Sequence, residues 1–85
     1  MNMNVSFYRT DINRIFKENN LCYDSYISTT DGMIEITIED GDWKHDHIRL
    51  NYIMRKNHYR LIKEVEIGTS EDDCYSSTHY FKYGA

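Results

Sequence analysis

The chain has 85 residues, 40% of them apolar and 28% charged, a globular composition sufficient for one domain, 1–85, with a modest core. Its net charge is −4, because residues 1–40 carry three basic and seven acidic side chains whereas residues 41–85 carry equal numbers. This distribution argues against a protein that tracks nucleic-acid phosphates or adheres to an anionic membrane, since both functions need a basic stripe.

The first predicted element is a helix over residues 7–18. Tyr8, Ile12 and Ile15 recur at the spacing of one helix face, and Ser6 belongs to the residue types that N-caps prefer. Two asparagines follow the helix, and asparagine tolerates the left-handed backbone conformation found at helix ends. The helix is therefore expected to begin after Ser6 and to stop at these asparagines.

Two alternating runs, 22–29 and 33–39, predict a β-hairpin. In the second run three isoleucines alternate with polar residues, which is typical of a strand with one buried face. An Asp-Gly pair at 31–32 separates the two runs. Because glycine accepts the positive φ that tight turns require, the runs are expected to pair with each other.

The second predicted helix spans residues 43–56. Asp42 precedes it as a cap, and its negative charge suits the positive end of the helix. Trp43, His47, Leu50 and Met54 fall on one stripe of this helix, with Ile53 beside it. That stripe is expected to face the core.

Two further strands are predicted over residues 59–67 and 74–83. Unbroken alternation divides the first of them into two faces, with Tyr59, Leu61, Lys63, Val65 and Ile67 on one and Arg60, Ile62, Glu64 and Glu66 on the other. In the last strand the same alternation groups Tyr75, Ser77, His79, Phe81 and Tyr83.

The element order αββαββ predicts an α+β domain, a four-stranded antiparallel sheet with two helices packed on one face. The opposite face of the sheet would then be open to water and would carry Tyr26, Glu35, Thr37 and Glu39. A partner is expected to dock on this open face or on the outer side of the helices.

A zinc site with four ligands could be drawn from His45, His47, Cys74 and His79 in the second half of the chain. The two helical histidines are two residues apart and point in different directions, and the cysteine and histidine of the last strand fall on opposite faces. We therefore expect no metal and no cofactor, with His47 as a hydrogen-bonded histidine at the edge of the core. Nucleophile-elbow, P-loop, zinc-protease and dinucleotide motifs are missing from the sequence, so no enzyme activity and no catalytic residue is expected.

Two acidic segments, 39–42 and 70–73, could occupy a basic groove of another protein, because carboxylates can imitate phosphates. The alternative is that these acids serve solubility and helix capping. Tyrosines near them would add contact area at low entropic cost. The expected partner-binding residues are Glu39, Asp40, Asp42, Glu71, Asp72, Asp73, Tyr23, Tyr26 and Tyr75.

The segments GDWKHDH at 41–47 and DCYSSTHYF at 73–81 resemble small proteins carried by phages and mobile elements of gut Firmicutes. In size, acidity and αβ make-up the chain also resembles phage-encoded anti-CRISPR proteins. That resemblance implies an anti-defence inhibitor that acts as a DNA mimic. Its partner would be a host protein, a Cas nuclease effector, whose engagement with nucleic acid it blocks.

Two alternatives remain open: a small nucleic-acid-binding module that uses the basic stretch 49–63, and a non-catalytic accessory protein or homodimer formed by edge pairing of the strand at 74–83. The start of the chain lacks the basic and apolar runs of a signal peptide, and no stretch approaches the roughly 20 apolar residues of a membrane span. Cys22 and Cys74 are lone thiols. The expected location is the cytoplasm of the host bacterium, with reduced cysteines and no membrane attachment.

Overall fold

The computed structural model describes residues 5–29, 31–39, 43–67 and 76–84, with the backbone alone for residues 43–45 and 67. Its elements are α1 (Val5–Glu18), β1 (Asp24–Ile27), β2 (Ile34–Glu39), α2 (Trp43–Lys56), β3 (Tyr59–Ile67) and β4 (Ser76–Tyr83). The predicted α+β class and the order αββαββ are confirmed. Within the described residues, no helix combines the length and the apolar character that crossing a membrane requires.

The first helix begins two residues earlier than predicted and ends at the predicted residue, Glu18. It begins at Val5, which packs against the core, so Ser6 lies inside its first turn and the N-cap assigned to Ser6 is wrong. Asn20 has a φ of 56°, and the Leu21 amide donates to the carbonyl of Phe16 at 2.8 Å. This left-handed stop is the one that the paired asparagines predict.

The predicted hairpin forms between β1 and β2, which pair in antiparallel register. Gly32 has a φ of 72°, and the amide of Ser28 donates to the carbonyl of Met33 at 2.8 Å. Asp31 fixes the turn further, because its Oδ1 accepts from the Met33 amide at 2.9 Å. The turn thus uses the conformational freedom of glycine where a β-carbon would be strained.

The sheet has the strand order β1-β2-β4-β3, and every neighbouring pair is antiparallel. The edges are therefore β1 and β3, whereas β4 pairs on both sides. The expectation that the last strand lies at an edge is wrong. The reason is burial: Ser77, His79 and Phe81 alternate along β4 at 0% exposure, which suits a central strand.

Both helices lie on the same side of the sheet. Tyr59 of β3 donates its hydroxyl to Asp11 of α1 at 2.7 Å. The ring of His79 on β4 lies 4.8 Å from the ring of His47 on α2. Since the cross-strand pairs place these β3 and β4 side chains on one face, that face is covered by both helices.

The core fills the space between the helices and this covered face. Its buried apolar residues are Ile12, Ile15, Leu21, Ile27, Ile34, Ile36, Ile38, Leu50, Ile53, Met54, Tyr59 and Phe81. The three isoleucines of β2, and Leu50 and Met54 of the α2 stripe, thus lie where their periodicity predicts. The side chain of Trp43 lies outside the described residues.

A β-bulge interrupts β3. Leu61 pairs with Phe81, and Glu64 pairs with His79, so three steps along β3 match two steps along β4. One additional residue reverses the alternation of the strand beyond it. The bulge therefore brings Glu64 to the covered face.

The predicted division of β3 into two faces is wrong beyond this bulge. Lys63 and Val65 pair with outward-facing residues of β4, whereas Glu64 and Glu66 pair with inward-facing ones. Unbroken alternation would have given the opposite arrangement. The β3 side chains that matter for the site are thus placed by an irregularity of the ladder.

Candidate functional site

A cluster of polar side chains lies between α2 and the covered face of the sheet. The Nε2 atom of His47 is 3.0 Å from Oε1 of Glu64, and the Nδ1 atom of His79 is 3.4 Å from the same oxygen. One ligand-type atom from each of the three residues lies within 4.8 Å of the other two. We call His47, Glu64 and His79 the His–Glu–His cluster.

Each residue of the cluster is positioned by a different element. His47 shares its helix stripe with the buried Leu50 and Met54, which hold that side of α2 against the sheet. His79 belongs to the inward-facing series of β4, and Glu64 reaches the same face because of the bulge. The cluster therefore depends on three elements packing together.

Two further side chains, those of Asn51 and Ser77, contact the His–Glu–His cluster. Asn51, one turn after His47, donates its Nδ2 to Oε1 of Glu64 at 2.7 Å. Oγ of Ser77 lies 3.0 Å from Nε2 of His79. Among the described residues, neither Nδ1 of His79 nor Oδ1 of Asn51 has a hydrogen-bond partner, although both atoms are buried. A buried polar atom without a hydrogen-bond partner lowers the stability of the fold, so these two atoms call for an explanation.

Burial lowers the pKa of His79 from its ordinary value of 6.5; the Glu64 carboxylate opposes this shift and His47 adds to it. At neutral pH His79 is therefore a neutral imidazole with a lone pair on one ring nitrogen. That is the form in which histidine ligates metals.

Ser77, His79 and Glu64 are also arranged like a hydrolase triad, with the His79 ring between the hydroxyl and the carboxylate. A nucleophile must meet its substrate, however, and both Ser77 and His79 are 0% exposed. The geometry therefore favours ligation or structural hydrogen bonding over nucleophilic catalysis.

The cluster differs from the ligand set weighed in the sequence. Among the described residues it contains His47 and His79 together with Glu64, which the sequence did not suggest; the side chains of His45 and Cys74 lie outside the described residues. The spacing argument against zinc concerned those two residues and does not apply to this cluster. Nothing in the alternation of 59–67 points to Glu64, because the bulge has no sequence signature here.

The uncovered sheet face carries charges of both signs in separate places. No described element packs over this face. Its acidic half is formed by Asp24, Glu35 and Glu39 on β1 and β2, and its basic half by Arg60, Lys63 and Lys82 on β3 and β4. Arg60 and Lys82 are direct cross-strand partners, which places two like charges opposite each other.

Two of the predicted partner-binding residues, Tyr26 and Glu39, lie on this uncovered face and are exposed; Tyr26 is 60% exposed. Tyr23 lies on the helix side, with its ring 6.1 Å from that of Phe16, and burial together with Asp46 raises its pKa. The structure therefore does not bring Tyr23 and Tyr26 together. The remaining predicted residues, Asp40, Asp42, Glu71, Asp72, Asp73 and Tyr75, lie outside the described residues.

A groove of about 490 Å³ lies where the end of α2 meets the start of β3. It is lined by Asn51, Arg55, His58, Tyr59, Arg60, Leu61 and Gly84. Two arginines give it a basic character, and they come from the stretch 49–63 that the sequence marks as basic. The groove adjoins the His–Glu–His cluster through Asn51.

Comparison with known proteins adds no relative to this picture: no protein-family model, no curated protein and no solved structure matches the chain.

Proposed function

We propose that this chain is a protein-binding domain that docks a partner through the uncovered face of its sheet. The observation that carries the proposal is the separation of charge on that face into an acidic half and a basic half. Charges of both signs in fixed places select a partner with the complementary pattern and orient it during encounter. Tyr26, exposed within the acidic half, supplies the aromatic contact that binding surfaces favour.

The charge separation supports a protein partner over a nucleic acid. Neighbouring strands are about 4.8 Å apart, so the β2 acids and the β3 bases are separated by about 10 Å. That distance is close to the Debye length of about 10 Å at 0.1 M salt, so a phosphate backbone drawn to the basic half also meets the repulsion of the acidic half. A protein surface can satisfy both halves together.

The partner class that we propose is a host CRISPR nuclease effector. Glu39 and its neighbours on the acidic half would pair with arginines and lysines that otherwise hold DNA or guide RNA. The support for this class is the resemblance of the chain to phage-encoded anti-CRISPR proteins, together with acidic and tyrosine side chains on one exposed face.

The test is DNA cleavage by a purified, guide-loaded CRISPR nuclease from a gut Firmicutes host, with increasing amounts of the full chain. We expect inhibition that weakens as salt is raised. Glu39→Lys and Tyr26→Ala should each raise the inhibitory concentration about tenfold, the equivalent of a modest hot spot. Glu18→Lys, an equal charge reversal on the exposed side of α1, is the matched control and should inhibit like the wild type.

Inhibition that is insensitive to salt and unchanged in Glu39→Lys would contradict docking through the acidic half. Absence of inhibition across effectors of different CRISPR types would contradict the nuclease as partner. A cross-linking experiment with Tyr26 replaced by a photoreactive amino acid would then show whether the uncovered face still binds a protein in host extract.

A second candidate function is binding of nucleic acid in the basic groove. The observation that favours it is the groove lined by Arg55 and Arg60, with Lys82 opposite Arg60 on the sheet. Fluorescence anisotropy with labelled single- and double-stranded oligonucleotides at physiological salt tests it. Binding that Arg60→Ala weakens, with a smaller salt dependence, would favour this function; its absence would favour the protein partner.

A further inference from the structure

We propose that His47, Glu64 and His79 bind one Zn²⁺ ion, which links α2, β3 and β4 on the covered side of the sheet. The site is separate from the uncovered face, so this proposal stands or falls independently of the binding function.

Both distances from the Glu64 carboxylate to the two histidine rings match those of a zinc site. Zinc bonds nitrogen and oxygen at about 2.0–2.1 Å in tetrahedral geometry, which places neighbouring ligand atoms about 3.3 Å apart. Glu64 Oε1 lies 3.0 Å from the His47 ring nitrogen and 3.4 Å from the His79 ring nitrogen. The two ring nitrogens lie within 4.8 Å of each other, so a zinc ion can enter the cluster once the partly exposed His47 ring moves toward His79.

The buried nitrogen of His79 is a second and independent observation. His79 is 0% exposed, and its Nδ1 has no hydrogen-bond partner among the described residues despite its short distance from Glu64. The contact between the two atoms does not meet hydrogen-bond geometry, which leaves the lone pair of this nitrogen able to bind a cation. A cation there satisfies the buried nitrogen, and Oε1 of Glu64 can contact it while it accepts from Asn51.

The neighbours of the cluster have the arrangement of a metal's outer shell. Ligating histidines commonly donate their second ring N–H to a nearby oxygen, which fixes the tautomer. Ser77 Oγ, 3.0 Å from Nε2 of His79, can accept that hydrogen and leave the Nδ1 lone pair directed into the cluster. Asn51 holds the Glu64 carboxylate through its 2.7 Å hydrogen bond. The competing arrangement is a proton on His79 Nδ1 in place of the ion.

Two imidazoles and one carboxylate select the class of metal. Mg²⁺ and Ca²⁺ prefer ligand sets made of oxygen alone, whereas Zn²⁺ accepts mixed nitrogen and oxygen ligands. The three ligands among the described residues leave one tetrahedral position, which lies toward the partly exposed His47 and Glu64, because His79 is fully buried. Co²⁺ takes the same ligands and provides a visible spectrum as a probe.

The experiment begins with the full chain freed of metal by a chelator that is then removed. Isothermal titration with ZnCl₂ should show one ion bound per chain, and Co²⁺ should give the visible absorption of a tetrahedral complex. His47→Gln and Glu64→Gln should each weaken zinc binding about 100-fold or more, since loss of an outer-shell group alone costs 10–100-fold. The matched controls are His58→Asn, which suits the left-handed backbone at that position, and Glu66→Gln on the same strand.

Three outcomes of the titrations would overturn the proposal: no zinc bound by the wild-type chain, wild-type affinity in both cluster variants, or zinc binding that is lost in Cys22→Ser or Cys74→Ser instead.

A measurement without substitutions guards against misfolded variants. Nitrogen-15 NMR of the histidine rings should show the His47 and His79 signals shifting on addition of one equivalent of ZnCl₂, with His58 unchanged. Shifts at His58 alone would refute the site.

Discussion

The two faces of one sheet use the same kinds of residue in opposite ways. On the covered face, polar side chains bond to one another: Glu64 accepts from Asn51, and Ser77 lies against His79. On the uncovered face, Glu39 is exposed to water, which solvates it. The Glu64 carboxylate is therefore held by the fold, whereas that of Glu39 is available to a partner. The consequences of substitution should differ accordingly.

The largest expected difference in stability is between substitutions of Phe81, on the covered face, and of its neighbour Tyr80, on the uncovered face. Phe81 is 0% exposed in the core, so Phe81→Ala should lower the free energy of unfolding by about 3–5 kcal/mol. Tyr80 faces outward and contacts Lys63, whose Nζ lies 4.7 Å from the ring centre. Tyr80→Ala should cost roughly 1 kcal/mol or less. Urea denaturation measures both; equal losses would mean that the uncovered face is also packed.

A smaller effect is expected from Tyr59→Phe on the covered side. The substitution removes the hydroxyl that donates to Asp11 and leaves the ring in place, so the cost should be about 1–3 kcal/mol. Tyr83→Phe is a matched control, because Tyr83 is 46% exposed. A loss as large in the control would show that the Asp11 hydrogen bond contributes nothing specific.

The same tyrosine should govern part of the alkaline stability. Burial and then the Asp11 hydrogen bond raise the pKa of Tyr59 above its ordinary value of 10.0. The folded state therefore favours neutral Tyr59, and this contribution is complete below pH 10 and declines as the pH rises further. The melting temperature, measured from neutral to strongly alkaline pH, should fall less steeply in Tyr59→Phe than in the wild type.

The smallest expected effect has the opposite sign and lies on the uncovered face. Arg60 and Lys82 are like charges in a direct cross-strand pair, so Arg60→Glu should stabilise the chain by about 0.2–1 kcal/mol at low salt. Arg60→Gln, which removes the repulsion without adding attraction, should give a smaller gain. High salt should diminish the difference between the variants, because both groups are at the surface. Destabilisation by Arg60→Glu would mean that Arg60 has a structural partner of its own.

Local patterns in the sequence determined the order of the elements and much of the core. The isoleucines of β2, the stripe of α2 and the Asp-Gly turn are each set by residues a few positions apart, so their periodicity and turn chemistry predict them directly. The open sheet face with Tyr26 and Glu39 follows from that same alternation.

Tertiary structure decided the strand order, the bulge in β3 and the membership of the His–Glu–His cluster. Register and strand neighbours belong to pairs of strands, and no single segment specifies them. The inward alternation of β4 makes His79 recognisable in the sequence, and His47 shares a stripe with buried residues. Glu64 joins them only because one additional residue in β3 shifts the ladder against β4 and turns its carboxylate toward both rings.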